Sequence, residues 1–185
     1  MDIIEKVRSY VEEESKKPTS KYGYEPYRCH FVPMVKYAQQ LSDELGGDKE
    51  IITIAAWLHD IGSIVEGRKN HHETGAELAE KKLRKLNYPT EKIERVKNCI
   101  LNHRGSREDN RDTIEEKIIA EADALSNFDN IGGIFMAAFV YEGLGQDEAR
   151  VSVKKKYENK YKKLHFEQSR KMIKPKYDAA MLLLG

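Results

Sequence analysis

The sequence predicts an all-α fold, and three observations carry that prediction. Apolar residues recur three, four and seven positions apart along most of the chain, which is the spacing of one helix face. No run of residues alternates between apolar and polar in the way that strands do. The chain has 185 residues, 34% of them charged, with a mean hydropathy of -0.71. Such a chain is expected to form one domain, residues 1–185, with a single core under a polar surface.

The first half of the chain is predicted to hold three helices and two loops. The helices are expected over 2–14, about 31–45 and 48–60, and the loops over 17–29 and 61–70. Gly46 and Gly47 should end the second helix, and Gly62 should end the third. The third helix has the most apolar composition, so it is expected to be the most buried.

The second half is predicted to continue with helices only. They are expected over about 72–87, from Pro89 to His103, from the capping box Thr113-x-x-Glu116 onward, over 131–142, and as one or two C-terminal helices interrupted near Pro175, with a charged loop over 104–112. Residues 151–178 hold ten Lys or Arg and three Asp or Glu, a net charge of +7, against +1 for the whole chain. This basic segment is interpreted either as a solvated helix face or as an electropositive wall for an anionic substrate.

The dipeptide His59-Asp60 ends the most apolar segment and predicts a divalent metal site. An imidazole and a carboxylate are costly to bury unless a partner compensates them. His103 follows Ile100 by three residues and Asp123 follows Ile119 by four, so both side chains share a face with apolar residues. A nitrogen and oxygen ligand set suits transition metals better than calcium.

Read in order, His30, His59-Asp60 and Asp123 resemble the H…HD…D pattern of the HD-domain metal-dependent phosphohydrolase superfamily. The segment from Ala55 to Gly62 is similar to the family's second motif. The resemblance places core motifs over about 28–130 and leaves a basic C-terminal helical extension over 145–185. It implies an all-α fold, four metal ligands at these positions, and hydrolysis of a phosphate ester or anhydride.

Two further segments extend the resemblance. His72-Glu73-Thr74-Gly75 is similar to an H-x-x-G element, and Asn102-His103 is similar to a later histidine of the family. Such histidines hold a second metal in some members and contact phosphate or transfer protons in others. We expect phosphate contact or proton transfer by His72 and His103, with a second metal possible. His71 is expected to be the exposed neighbour of His72.

The resemblance favours a hydrolase that acts on a small nucleotide or nucleotide-like phosphate with one divalent ion. The ion's identity is left open among Mn²⁺, Fe²⁺, Co²⁺, Ni²⁺, Zn²⁺ and Mg²⁺. Arg28, Lys69, Arg104 and Arg107 are candidate phosphate contacts, because they flank the ligand positions. The alternatives are a phosphodiesterase on a cyclic or oligonucleotide substrate, a non-catalytic metal-binding regulator, and a di-iron oxygenase. No Gly-Tyr-Pro follows His103, and no Glu-Asp closely follows Asp60, which disfavours cyclic-dinucleotide and alarmone hydrolysis.

Location and partners follow from composition. No apolar run approaches the ~20 residues of a membrane span, and the first residues do not resemble a signal peptide. Cys29 and Cys99 form no Cys-x-x-Cys pattern, so reduced thiols in a cytoplasmic protein are expected. A net charge of +1 makes nucleic acid an unlikely partner. The apolar helix over 131–142 is a candidate homodimer face.

Overall fold

The computed structural model describes residues 1–104 and 110–185, and every regular element in those ranges is helical. The all-α prediction is therefore confirmed. The ten α-helices in the described ranges are α1 (Ile3–Lys16), α2 (Val32–Leu45), α3 (Lys49–Leu58), α4 (Ile61–Val65), α5 (His71–Lys85), α6 (Thr90–Asn102), α7 (Ile114–Ser126), α8 (Ile131–Met136), α9 (Gln146–Lys162) and α10 (Glu167–Leu184). Most of the predicted charged loop over 104–112, including Arg107, lies outside the described residues.

Helix α3 is the centre of the fold, as its composition predicts. Its residues from Ile51 to Leu58 are all buried, and it packs against α1, α2, α6 and α7. Asp48 begins the helix because its side chain accepts hydrogen bonds from the amides of Glu50 and Ile51. Burial on all sides fixes where the end of α3 lies relative to its neighbours.

The end of α3 differs from the prediction. The helix stops before Asp60, whose backbone has φ −113° and ψ 16°, and α4 then begins at once. Gly62 lies inside α4 instead of ending α3, and the predicted loop over 61–70 starts only after Val65. Gly62 is needed for packing, since a Cβ there would lie 2.2 Å from the carbonyl oxygen of His71. This close approach brings α4 against the start of α5.

A π-helical turn, Tyr27–Phe31, leads directly into α2, so the loop predicted over 17–29 ends earlier than expected. Tyr27 and Phe31 are buried, and the ring of Tyr27 stacks on Trp57 with centroids 5.7 Å apart. This packing holds the turn in helical form. As a result His30 lies within a helical segment and not at its start.

The C-terminal helices α9 and α10 pack against each other, and α10 also contacts α7 and α2. The predicted interruption near Pro175 is wrong, because α10 runs through Pro175. The break lies between α9 and α10, where the carboxylate of Glu121 accepts hydrogen bonds from the amides of His165 and Phe166. In the described ranges, no helix combines the length and apolar character that crossing a membrane requires.

Candidate metal centre

Four helical segments bring the four predicted ligands together. His30 comes from the π turn, His59 and Asp60 from the junction of α3 and α4, and Asp123 from α7. The side chain of His59 is fully buried, while those of His30, Asp60 and Asp123 keep 16%, 24% and 25% exposure. The cluster therefore lies at the inner end of an opening and not inside a closed core.

The ligand atoms of this cluster face one another. The Nε2 atoms of His30 and His59 are 3.0 Å apart, and each lies 3.7 Å from Oδ2 of Asp60. Oδ1 of Asp123 is 3.5 Å from Nε2 of His30. Ligand atoms of His30, His59 and Asp60 all lie within 4.8 Å of one another, which is close enough to share one ion.

A second group of ligand atoms lies on the other side of Asp60. Its Oδ1 atom is 3.2 Å from Nε2 of His71 and 3.7 Å from Nε2 of His103, and those two nitrogens are 3.3 Å apart. Asp60, His71 and His103 thus form a second set within 4.8 Å. The two oxygens of one carboxylate face two separate pairs of histidines.

Hydrogen bonds fix the tautomers of these histidines. The Nδ1 atoms of His59, His71 and His103 donate to the carbonyl oxygens three residues earlier, at 2.9, 2.9 and 2.5 Å. Nδ1 of His30 lies 2.9 Å from Oγ of Ser126, which donates its own proton to the carbonyl of Asp123 and so accepts from His30. With Nδ1 protonated, the neutral form of each ring presents the Nε2 lone pair to the cluster.

This arrangement fits a metal ion. Two lone pairs that face each other across 3.0 Å repel unless a proton or a cation lies between them. Ligand nitrogens at about 2.1 Å from one ion, at right angles or tetrahedral angles, are about 3.0–3.4 Å apart. Both histidine pairs match that spacing, at 3.0 and 3.3 Å. The hydrogen bonds to Nδ1 are those that orient histidine ligands in metalloproteins.

The pKa values agree with ligand function. Burial, together with the positive charge of nearby His30, lowers the pKa of His59 to about 4, so its ring is neutral. Burial alone would raise the pKa of Asp60, but His59 and His30 hold it well below its usual range. For Asp123, Lys160 and then His30 outweigh burial and lower the pKa. Burial opposes protonation of His30, yet Asp60 and Asp123 raise its pKa, so a bound cation has to displace a proton there.

The structure places His71, and not His72, beside Asp60. The expectation that His71 is exposed is wrong, since it keeps 9% exposure and belongs to the second ligand group. His72 is also buried, but its Nδ1 accepts a hydrogen bond from Nη1 of Arg104 at 3.4 Å, and it belongs to neither ligand group among the described residues. His71 is the first residue of α5 and follows Asn70, whose φ of 55° turns the chain. The sequence does contain one indication of this orientation. His71 lies four residues before Gly75, and residues four apart on a helix lie on the same side.

A cavity of about 790 Å³ opens from the ligand cluster to the surface. Its walls combine cationic side chains with apolar and aromatic ones: Arg68, Arg104 and Lys160 on one hand, and Tyr22, Phe31, Ile64, Ile134, Met136 and Tyr141 on the other. Among the predicted phosphate contacts, Arg104 lines this cavity. Arg28 and Lys69 are exposed and do not line it, and Arg28 pairs instead with Glu25 at 3.6 Å. The sequence did not single out Arg68, and it placed Lys160 only within the basic segment.

A family model described as the HD domain matches residues 27–127, more than half of the chain. The chain belongs to the HD domain family. The match includes all the residues of both ligand groups, and HD domains bind divalent metals. The family assignment from His30, His59-Asp60 and Asp123 is therefore confirmed.

Curated relatives match parts of the chain. An uncharacterized protein of Clostridium beijerinckii is 36% identical over 85 residues, covering 44% of this chain and 54% of that protein. A tRNA (cytidine(56)-2'-O)-methyltransferase of Picrophilus torridus is 29% identical over 143 residues, 70% of this chain and 40% of that protein. A ribonuclease Y of Sulfurovum is 35% identical over 101 residues, 53% of this chain and 18% of that protein. The chain thus spans about half the length, or less, of these relatives.

Solved structures share the fold over nearly the full chain. Bacillus subtilis YpgQ, solved in complex with ADP, aligns with a TM-score of 0.72 at 20% identity, covering 97% of this chain and 92% of that one. An HD-superfamily hydrolase of Bacillus thuringiensis aligns with a TM-score of 0.71 at 18% identity, covering 97% and 91%. At sequence identities this low, the similarity shows a shared fold only.

Proposed function

We propose that this HD domain is a metal-dependent phosphohydrolase that acts on a nucleotide or a similar phosphate ester or anhydride. The observation that carries the proposal is the placement of Asp60, whose two oxygens face two pairs of histidine nitrogens at the inner end of a cavity. The cavity's cationic side chains suit phosphate oxygens, and its aromatic and apolar wall suits a planar base. Membership of the family and the ADP complex of the similarly folded YpgQ support the same substrate class.

We further propose that the centre holds two divalent ions rather than one. His30, His59, Asp60 and Asp123 would hold the first ion, and Asp60, His71 and His103 the second. Bound divalent ions supply an activated water molecule at neutral pH and polarise the bond from phosphorus to the leaving oxygen. The ion's identity is left to experiment.

The chain's own residues bind and orient the substrate in this proposal. Arg104 and Arg68 donate hydrogen bonds to phosphate oxygens, and the hydrogen bond to His72 holds the guanidinium of Arg104 on the cavity wall. Lys160, which lines the cavity beside Asp123, neutralises charge that develops on phosphate. Tyr22 and Tyr141, in edge-to-face contact at 5.8 Å, border the base. His72 thus keeps a part in phosphate binding, through Arg104.

The test is a hydrolysis screen of the metal-stripped protein reloaded separately with Mn²⁺, Co²⁺, Ni²⁺, Zn²⁺ or Mg²⁺. Nucleoside mono-, di- and triphosphates and bis-p-nitrophenyl phosphate are the substrates, and released phosphate, pyrophosphate or nitrophenol is measured. Asp60→Ala should abolish turnover, and His71→Asn should lower it far more than His72→Asn. Asp147→Asn, an exposed carboxylate on α9, is the matched control. Full metal binding without turnover of any substrate would refute the hydrolase proposal and favour a regulatory role or a di-iron oxygenase.

A second candidate is a phosphodiesterase that cleaves an oligonucleotide. The match to ribonuclease Y over 101 residues favours it, as does the basic segment over 151–178. Inhibition of turnover by single-stranded oligonucleotide, falling steeply with salt, would support this candidate. Inhibition that is independent of salt and oligonucleotide length would exclude it.

We propose a cytoplasmic location, where nucleotides are abundant and the thiols of Cys29 and Cys99 stay reduced. A homodimer through the segment over 131–142 is a further proposal, supported by exposed Met136, Phe139 and Val140. Sedimentation equilibrium of the protein and of Val140→Glu tests it. A wild-type monomer at micromolar concentration would contradict it.

A further inference from the structure

One strip of the cavity wall runs along the chain from the metal centre to the tyrosine pair. Six residues that line the cavity of about 790 Å³ follow one another at alternating intervals of four and three positions: Asp123, Asn127, Asn130, Ile134, Ala137 and Tyr141. They come from α7, the 3₁₀ turn after it, the cap of α8, α8 itself and the π-helical turn Ala137–Tyr141. Because residues three and four apart share one side of a helical segment, they form a continuous strip. Its two carboxamides lie next to the metal ligand, and its apolar members follow.

Asn127 is held in place by two hydrogen bonds. Its Nδ2 donates to the carbonyl oxygen of Asp123 at 2.6 Å, and its own carbonyl oxygen accepts from the hydroxyl of Tyr157 at 3.0 Å. The first bond places the carboxamide beside a proposed metal ligand and uses its donor end. The acceptor end, Oδ1, is the one that remains for a ligand.

Asn130 is oriented in the opposite sense. Its Oδ1 accepts from the amide of Gly133 at 3.0 Å and so caps α8, which leaves the donor end, Nδ2, for a ligand. Gly133 makes room for this carboxamide, since a Cβ there would lie 2.6 Å from Oδ1 and 2.7 Å from Cγ of Asn130.

Both remaining ends can be reached from the cavity. Neither Oδ1 of Asn127 nor Nδ2 of Asn130 has a hydrogen-bond partner among the described residues. Neither atom is buried, because the buried side-chain polar atoms that lack a partner in the described ranges belong to Glu121 and Ser169. The strip therefore offers one acceptor and one donor beside the metal centre. Since internal bonds already orient both groups, a ligand does not have to order them.

We propose that Asn127 and Asn130 recognise the hydroxyl groups of a ribose, so that the site takes ribonucleotides in preference to deoxyribonucleotides. One hydroxyl donates to Oδ1 of Asn127, and the other accepts from Nδ2 of Asn130. The sugar of a nucleotide lies between its phosphates and its base, and the asparagines lie between Asp123 and Tyr141 along the strip. The inference rests on the proposed nucleotide substrate and names its sugar.

The test measures binding to the metal-loaded protein by calorimetry. The ligands are α,β-methylene-ADP and its 2′-deoxy and 3′-deoxy forms, which resist cleavage between the phosphates, so the readout is affinity and not turnover. The wild type should bind the ribose form about three- to tenfold more tightly than either deoxy form, which is the value of one hydrogen bond at a site that water can reach.

Two variants separate the two hydroxyl contacts. Asn127→Ser keeps a donor for the carbonyl of Asp123, because a serine hydroxyl bonds the carbonyl four residues earlier, but it withdraws the acceptor from the cavity. Asn130→Asp keeps the oxygen that caps α8 and replaces the donor by an acceptor. In each variant the preference for ribose over one of the two deoxy forms should fall toward 1, and the other preference should remain.

Gly133→Ala should reproduce the effect of Asn130→Asp without adding a charge, because its Cβ displaces the carboxamide. It decides the matter if thermal unfolding shows that Asn130→Asp does not fold. The matched control is Asn98→Asp, an exposed asparagine on α6 that does not line the cavity, and it should keep both preferences.

The outcomes separate this inference from the proposed function. Equal affinity of the wild type for the three ligands, tighter binding of a deoxy form, or preferences that survive in both asparagine variants would overturn the recognition of ribose and leave the nucleotide substrate standing. If none of the three ligands binds, the nucleotide proposal fails and the inference fails with it. Binding with the expected preferences but without turnover of any nucleotide would contradict the hydrolase proposal alone.

Discussion

Gly62 controls the distance between the two halves of the ligand cluster, and its replacement by alanine should disable one of them. A Cβ at this position would lie 2.2 Å from the carbonyl oxygen of His71 and 2.7 Å from the amide of Gly75, against 3.4 Å for an ordinary contact. Both neighbours are backbone atoms, so α4 and α5 would have to separate by about 1 Å. Metal sites tolerate deviations of about 0.2 Å in ligand distance, so His71 could no longer bind the ion that it is proposed to share with Asp60.

On the proposed two-ion centre, Gly62→Ala should therefore lose the ion of Asp60, His71 and His103 and keep the ion of His30 and His59. The assay is metal content after reloading with Mn²⁺, with an expected fall to about half of the wild-type stoichiometry. Urea unfolding should show a free energy of unfolding lower by about 1–3 kcal/mol, the usual cost of overpacking.

The matched control is Gly75→Ala. The nearest atom to a Cβ at this position would be the amide nitrogen of Gly62 at 3.4 Å, an ordinary contact distance. Alanine is also more stable than glycine in a helix interior, by up to about 1 kcal/mol. This variant should keep its metal content and its stability. Full metal content in Gly62→Ala, or equal losses in both variants, would refute the reasoning from close backbone approach.

Three further predictions concern single groups. Ser126→Ala removes the side chain that accepts from Nδ1 of His30, so Mn²⁺ affinity should fall about tenfold in a competition titration; an unchanged affinity would show that the ring needs no such acceptor. In the metal-free protein, the pKa of His59 is about 4 in the folded state and about 6.5 in the unfolded state. Between these pH values the unfolded state binds more protons, so the free energy of unfolding decreases as the pH falls from 6.5 to 4. This loss of stability due to His59 reaches about 3 kcal/mol near pH 4. In urea unfolding between pH 4 and 6.5, the free energy of unfolding of His59→Gln should therefore depend less on pH than that of the wild type. Identical pH profiles for the two proteins would contradict this prediction. Burial raises the pKa of the Cys99 thiol far more than that of the half-buried Cys29. A thiol reagent at pH 8 should therefore modify Cys29 first and Cys99 only on unfolding, and equal rates of modification would contradict the burial of Cys99.

The sequence was sufficient for the parts of the fold that depend on local pattern. The fully apolar composition of α3 predicted its burial, and the position of Asp60 after it predicted a polar group held at a helix end. The cap of α7 at Thr113 was predictable as well, since a threonine side chain accepts from the amide three residues on. These features depend on neighbours in the chain, which a sequence displays directly.

The parts that the sequence did not predict depend on distant contacts. His71 faces Asp60 because Gly62 lets α4 approach the start of α5. The break between α9 and α10 lies where the distant Glu121 binds two free amides, and not at Pro175. Both cases involve residues from different helices, and helical periodicity says nothing about which helices pack together.

The orientation of the histidines follows from where helices and turns leave carbonyl oxygens free. His59 and His103 lie at the ends of α3 and α6, where the last carbonyls have no amide partner within the helix, and His71 donates to a loop carbonyl in the same way. Backbone acceptors of this kind cannot be removed by a side-chain substitution. His30 differs, because it lies inside a helical segment whose carbonyls are already used, and it depends on the hydroxyl of Ser126. Among the positions that orient these four rings, Ser126 is therefore the one at which a side-chain substitution removes the hydrogen bond that orients a candidate ligand while leaving that ligand in place.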